Sequence, residues 1–314
     1  MSLPPDTSTA TRDPRDPRDA EGAGVIHDIG YRGYQGPRLG RSYATRSLYV
    51  QGLRGAFGLG RSGKSKVLPM LIVAMMVLPA GVLVAITVIL HRTDEPVDYP
   101  RYLSVFGLFV QIFLAAQAPV LLSRDLRYNT VPLYFSRPIT RGDYVRAKGA
   151  AMVVATFIVT VLPLLVLYLG APLAGLNLRY NTEHLGYGLL AAALYSVVLS
   201  AVSLVIAASM PRRGIGVAAI MSFLVISEVV AVIIQGISGG LDSASSSANS
   251  GDWAYLISPT DLVERFVNHV CGLTHGELGG PDTPGTLGAL VFGLEMLLIV
   301  AGAYLLLLRR YRKI

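Results

Sequence analysis

Apolar residues gather in six blocks along this chain: Val67–Leu90, Tyr102–Leu122, Gly149–Gly170, Gly186–Met210, Gly214–Ile237 and Leu287–Leu308. Each approaches or exceeds the roughly 20 helical residues that cross a hydrocarbon core about 30 Å thick, where a helix satisfies its own backbone. None alternates with a period of two, so the pattern predicts spanning helices and not a barrel. Two weaker patterns lie outside the blocks. Tyr43–Phe57 sets Tyr49, Leu53 and Phe57 on one side with Arg46 and Arg54 at its edge, which predicts a short helix in the headgroup region. Trp253–Cys271 has a helix start at Ser258-Pro259 and shares Leu262, Val263, Phe266, Val267 and Val270 on one face. It predicts a second helix, along the opposite interface or capping the bundle.

The polar stretches between blocks set the orientation. Arg41, Arg46, Arg54, Arg61, Lys64 and Lys66 precede the first block, Ser123–Lys148 is basic, Arg212 and Arg213 fill the fourth connection, and Arg309, Arg310, Arg312 and Lys313 close the chain. The connection after the fifth block is acidic, with Asp242, Asp252, Asp261, Glu264, Glu277 and Asp282 against Arg265. Positive charge gathers on the cytoplasmic side of membrane proteins, so both termini are expected in the cytoplasm. The fold class that follows is an all-α, six-span protein of the cytoplasmic membrane, with residues 43–314 as the membrane domain.

Composition changes little in this picture. The chain has 314 residues, 52% hydrophobic and 15% charged, which excludes an ordinary soluble domain. Its net charge of +7 is explained by the loop asymmetry, so nucleic acid is not an expected partner, whereas membrane lipid is. Residues 1–42 are Pro- and Gly-rich, include Arg12-Asp13-Pro14-Arg15-Asp16-Pro17-Arg18-Asp19 and lack an apolar signal core, which predicts a disordered cytoplasmic tail. Pro79 and Pro163 predict kinks, and Ala192, Ser196 and Ser200 predict close helix packing.

Three motifs fail for want of context. Gly58–Ser65 fits the phosphate-loop spacing but leads into a span with no preceding strand. Gly236-Ile237-Ser238-Gly239-Gly240 fits a nucleophile-elbow pattern, yet no span carries a histidine to act as base. His269, Cys271 and His275 form a loose donor group whose spacing fits no strong metal template. No catalytic or metal residue is therefore expected on this chain. Two acids do fall inside spans. Glu228 and Glu295 each sit roughly 21–22 Å from the cytoplasmic edge at about 1.5 Å per residue. Charges at such depth are costly, so the pair reads as a polar patch in a translocation path, a shared-proton pair, or two acids hydrogen-bonded between helices.

The segment Ser123–Lys148 is longer and more ordered in pattern than a mere connection requires. Here the sequence resembles the type-2 ABC transporter permeases. The resemblance rests on Asp125, Thr130, Leu133, Ser136, Arg137, Pro138, Ile139, Arg141, Tyr144 and Lys148, with Val131-Pro132 standing where the family usually runs straight into the leucine. It covers roughly residues 43–314 through the six spans, the basic lead-in and the helix after the fifth span.

The resemblance implies a permease subunit of an exporter, paired with a second permease copy or homologue. It also implies a cytoplasmic ABC ATPase dimer that docks on 123–148 and holds the ATP and magnesium, so this chain carries no cofactor. Arg124, Asp125, Arg127, Thr130, Leu133, Ser136, Arg137, Pro138, Arg141 and Tyr144 are its implied coupling residues. The cargo is an unidentified amphipathic or hydrophobic molecule. The competing class is a proton-coupled transporter built on Glu228 and Glu295.

Overall fold

The structure is a computed structural model, and it describes residues 36, 39–60, 63–91, 98–127, 134, 139–210, 212–238, 250–273 and 283–312, with only the backbone described at 123, 124, 126, 127 and 250. The chain divides into Met1–Arg38 and Leu39–Ile314; the second unit is described below. Among the described residues there is no strand. The helices are α1 (Arg41–Ala56), α2 (Lys64–Ile89), α3 (Tyr99–Val105), α4 (Gly107–Arg127), α5 (Arg141–Gly170), α6 (Leu178–Ser209), α7 (Arg213–Ile237), α8 (Pro259–Cys271) and α9 (Gly285–Arg312), with a 3₁₀ helix at Ser250–Ile257 ahead of α8.

Five of these, α2, α5, α6, α7 and α9, are each long and apolar enough to cross a membrane. The pair α3–α4 makes a sixth if taken as one broken span, so this is a multi-pass membrane protein. The expected single helix Tyr102–Leu122 is in fact two, bent by 60° at Phe106. The reason is polar: Tyr102 donates its hydroxyl to the Met76 carbonyl at 2.6 Å, and Arg101 reaches Glu264 at 3.1 Å. Those contacts draw α3 aside from the line of α4.

Local chemistry explains the helix ends. Thr140 and Asp143 form a reciprocal capping box at the start of α5. Asn177 caps α6 through the backbone amides of Arg179 and Tyr180. Ser258 caps α8 ahead of Pro259, and Gly272 ends it in the left-handed region at φ +68°. There the Leu273 amide reaches back to the Asn268 carbonyl at 2.8 Å, closing the carbonyls that a helix end leaves open.

Packing separates inner from outer helices. Half of the apolar window of α5 and of α6 is buried, against 22% for α2, α7 and α9. The seam between α5 and α6 uses small residues: Ala192, Ser196 and Ser200 are fully buried, and the Thr156 and Ser200 hydroxyls meet at 3.3 Å. Close approach elsewhere also rests on glycine. A Cβ on Gly52 in α1 would come within 2.9 Å of the Ala151 Cβ in α5. Pro79 and Pro163 lie inside continuous helices, as do Pro69 and Pro119.

Helix α8 is more enclosed than its amphipathic pattern alone requires. Leu262, Val263 and Val267 are buried as expected and Phe266 is half-buried, but Val270 is exposed. Glu264, Arg265 and Asn268, on what should have been the wet face, are buried as well. Helix α8 is thus enclosed on nearly all sides, because its polar groups find side-chain partners on α3 and on the 3₁₀ helix.

Candidate functional site

Two polar centres lie at opposite ends of the bundle. At the basic end, α1, the C-terminus of α4, the N-terminus of α5 and the C-terminus of α9 converge. Asp125 of α4 accepts from Lys148 Nζ at 3.0 Å and from the Tyr144 hydroxyl at 2.7 Å, both on α5. Tyr144 is fully buried, with ring centroids 5.7 Å from Tyr134 and 5.0 Å from Tyr311 of α9. One knot therefore joins both helices that flank the 123–148 segment, and attaches them to the last span.

A second clamp holds the lead-in helix. Arg41 of α1 donates to both Asp143 carboxyl oxygens, Nε to Oδ2 at 2.6 Å and Nη2 to Oδ1 at 2.9 Å, and Nη2 also reaches Thr140 Oγ1 at 3.0 Å. The capping box aims the Asp143 carboxyl at α1, since Asp143 also accepts from the Thr140 amide at 3.0 Å. Beside this clamp runs an open groove of about 760 Å³ lined by Arg46, Tyr49, Arg146 and Ala150.

Of the residues assigned to coupling, the structure brings Asp125 and Tyr144 together in the knot and leaves Arg141 exposed at the head of α5. Ile139 of the same motif is buried. Thr130, Leu133, Ser136, Arg137 and Pro138 lie outside the described residues, as do the side chains of Arg124 and Arg127. Arg41, Asp143 and Tyr311 were given no site role from the sequence. The Thr140-x-x-Asp143 spacing was the readable signal for the Arg41 clamp.

At the other end, Gln111 of α4 donates its amide to Glu228 of α7 and, at 3.4 Å, to Thr260 of α8. Glu264 of α8 accepts from Ser104 at 2.7 Å and Arg101 at 3.1 Å. Burial pushes the Glu264 and Asp261 carboxyls above the ordinary carboxylate range, against the opposing pull of Ser104 and Arg101 on the first and of Ser258 and Arg265 on the second. Arg265 pairs with Asp252 at 3.2 Å and lies 3.6 Å over the Tyr255 ring, while Tyr255 donates its hydroxyl to Gln235 of α7.

The structure does not bring Glu228 and Glu295 together. Glu228 belongs to the polar centre just described, whereas Glu295 of α9 is half-buried and makes no hydrogen bond or ion pair with a described residue. Gln111, 1% exposed, was the sequence signal passed over, an amide in the middle of an apolar block. The three rejected motifs have local explanations. Ser65 donates its hydroxyl to the Gly58 carbonyl at 3.2 Å, and Ser238 donates to the Ile234 and Gln235 carbonyls of its own helix. Burial pushes the Cys271 thiol up, away from thiolate character, and among the described residues no group of His, Cys, Asp or Glu is arranged to hold a metal ion. His275 lies outside the described residues.

No known protein-family profile matches this chain, and no curated protein matches it.

Proposed function

We propose that this chain is the permease subunit of an ATP-driven exporter of the type-2 ABC kind, working with a second permease copy or homologue and a separate cytoplasmic ATPase dimer. The observation that carries the reading is the Asp125–Lys148–Tyr144 knot, which couples the two helices flanking the 123–148 segment to each other and to Tyr311. A push on that segment from an ATPase moves α4 and α5 together, and the Arg41–Asp143 clamp carries α1 with them. Rigid transmission needs such fixed side-chain links, because a solvated loop would absorb the stroke.

In this reading the basic end faces the cytoplasm with both termini, by the charge asymmetry of the loops. Helix α1 lies in the inner headgroup layer and α8 caps the outer side. ATP and magnesium belong to the ATPase chain, and the arginines of 123–148 grip acids on its surface. The cargo is amphipathic or hydrophobic. The proton-coupled alternative relied on Glu228 acting with Glu295, and no contact joins those two.

Co-purification of the chain with its genomically adjacent ATPase tests the proposal. Vesicles holding both are expected to show ATPase turnover that collapses with Arg137→Glu plus Arg141→Glu while the permease stays folded. Transport by the isolated chain in a proton gradient, without any ATPase, would overturn it.

A further inference from the structure

Helix α1 is fixed to α5 at two points. One is the Arg41–Asp143 clamp, and the other is the close approach of Gly52 to Ala151. Between the two helices runs the open groove of about 760 Å³, within the range of about 300–1,000 Å³ usual for ligand sites. Its walls are stripes at helical spacing, with Ser42, Arg46 and Tyr49 on α1 and Arg146 and Ala150 on α5.

The groove carries a surplus of positive charge. Arg41, Arg46 and Arg146 line it, and Asp143 is the one acid among the described lining residues. Arg41 already occupies both oxygens of that acid. Arg46 is exposed and makes no hydrogen bond or ion pair with a described residue. Arg146 donates its Nε to the Tyr304 hydroxyl of α9 at 3.2 Å, which holds the guanidinium against α9 and leaves its two terminal nitrogens without a described partner.

The groove also straddles a change in polarity. Arg146 and Lys148 are the last charged residues of α5, which runs without a charge from Gly149 to Gly170. Lys148 is taken up by Asp125, so Arg146 is the cation that α5 offers at that level. Ala147 and Ala150 form with Tyr49 a floor that leads from the arginines toward the uncharged length of the span.

A phosphodiester meets this pattern. Its oxygens accept from two guanidinium forks, and such charge-assisted bonds are stronger than neutral ones. A chain attached to the phosphate covers the alanines, which a free phosphate would leave bare. A zwitterionic headgroup brings a cation for which the groove has no unengaged acid.

We propose that the groove between α1 and α5 binds an anionic phospholipid, its phosphate held by Arg46 and Arg146 and its upper acyl chain lying on Tyr49, Ala147 and Ala150. The bound lipid fills the space between the lead-in helix and the span, and so forms part of their contact. The site rests on the bundle lying in a membrane and is independent of the exporter reading.

Native mass spectrometry of the full chain, purified in a neutral detergent and titrated with phosphatidylglycerol, tests the site without any ATPase. One tightly held phosphatidylglycerol per chain is expected, with phosphatidylcholine at least about tenfold weaker. Both arginines are exposed, so their variants keep the fold. Arg46→Gln and Arg146→Gln should each weaken phosphatidylglycerol by at least about tenfold, as loss of a hydrogen bond between charged groups implies. Arg54 also lies on α1 but does not line this groove, so Arg54→Gln should change binding by less than about twofold at physiological salt. Equal binding of phosphatidylcholine would overturn the proposal, as would unchanged binding in either groove variant. An equal loss in Arg54→Gln would also overturn it, since the attraction would then be that of a diffuse basic surface. So would displacement of the lipid by excess glycerol phosphate, because the ligand would then be a soluble phosphate.

Discussion

Arg41 grips both carboxyl oxygens of Asp143, at 2.6 and 2.9 Å, although 102 positions separate them in the chain. Asp143 is held in place by the same capping box that starts α5, so one carboxyl both begins a span and anchors the helix in front of the first span.

That dual use gives a separable prediction. Arg41 is 56% exposed, so Arg41→Gln should lower thermal stability only slightly, water screening the lost pair. Asp143→Asn weakens the clamp and the cap together and should cost more, about 1–2 kcal/mol. A double-mutant cycle on melting of the purified protein measures the clamp alone. If the exporter reading holds, Arg41→Gln should depress cargo-stimulated turnover far more than it depresses stability.

The buried pair behaves differently. Lys148 and Asp125 are 9% and 16% exposed, so Lys148→Met strips the cation from a carboxyl that water scarcely reaches. A loss of roughly 3 kcal/mol is expected. Adding Asp125→Asn should recover part of it, because the stranded charge is then gone. Chemical denaturation in a mild detergent reads both.

Docking of α1 on α5 depends on a missing side chain. Gly52→Ala puts its methyl 2.9 Å from the Ala151 Cβ, closer than such carbons approach. The variant should lose about 1–2 kcal/mol, and Ala151→Gly in the same chain should restore most of it. Melting temperatures of the two single variants and the double variant decide this.

Asp261 and Glu264 make stability depend on pH with a definite sign. Burial raises both carboxyls above their ordinary range, so the folded protein binds protons there more tightly than the unfolded chain. Their contribution is full below the ordinary carboxyl range and declines as pH climbs through the raised values. The melting temperature is therefore expected to rise as pH falls through the raised values toward the ordinary carboxyl range. Asp261→Asn with Glu264→Gln should flatten that slope.

Much of the architecture was legible in one dimension. A block of apolar residues long enough to cross lipid has no alternative to a helix, so five spans followed from length and composition, and Ser258-Pro259 marked the start of α8 correctly. The exception among the spans is instructive: the pull of Glu264 and Met76 on α3 acts across helices and leaves no local mark, so the break at Phe106 was unreadable.

The sites divide in the same way. Sequence alone placed Asp125 and Tyr144 inside the basic segment between two spans, and Glu228 as an acid within an apolar block. Only the tertiary structure decided that Asp125 meets Lys148, that Asp143 meets Arg41, and that Glu228 joins Gln111 and Thr260 instead of Glu295. Hydrophobic pattern reports where a helix begins, ends and buries itself, because those are properties of neighbouring residues. Which polar groups share a buried space depends on how the helices rotate and cross, and that is set by the packing of all of them at once.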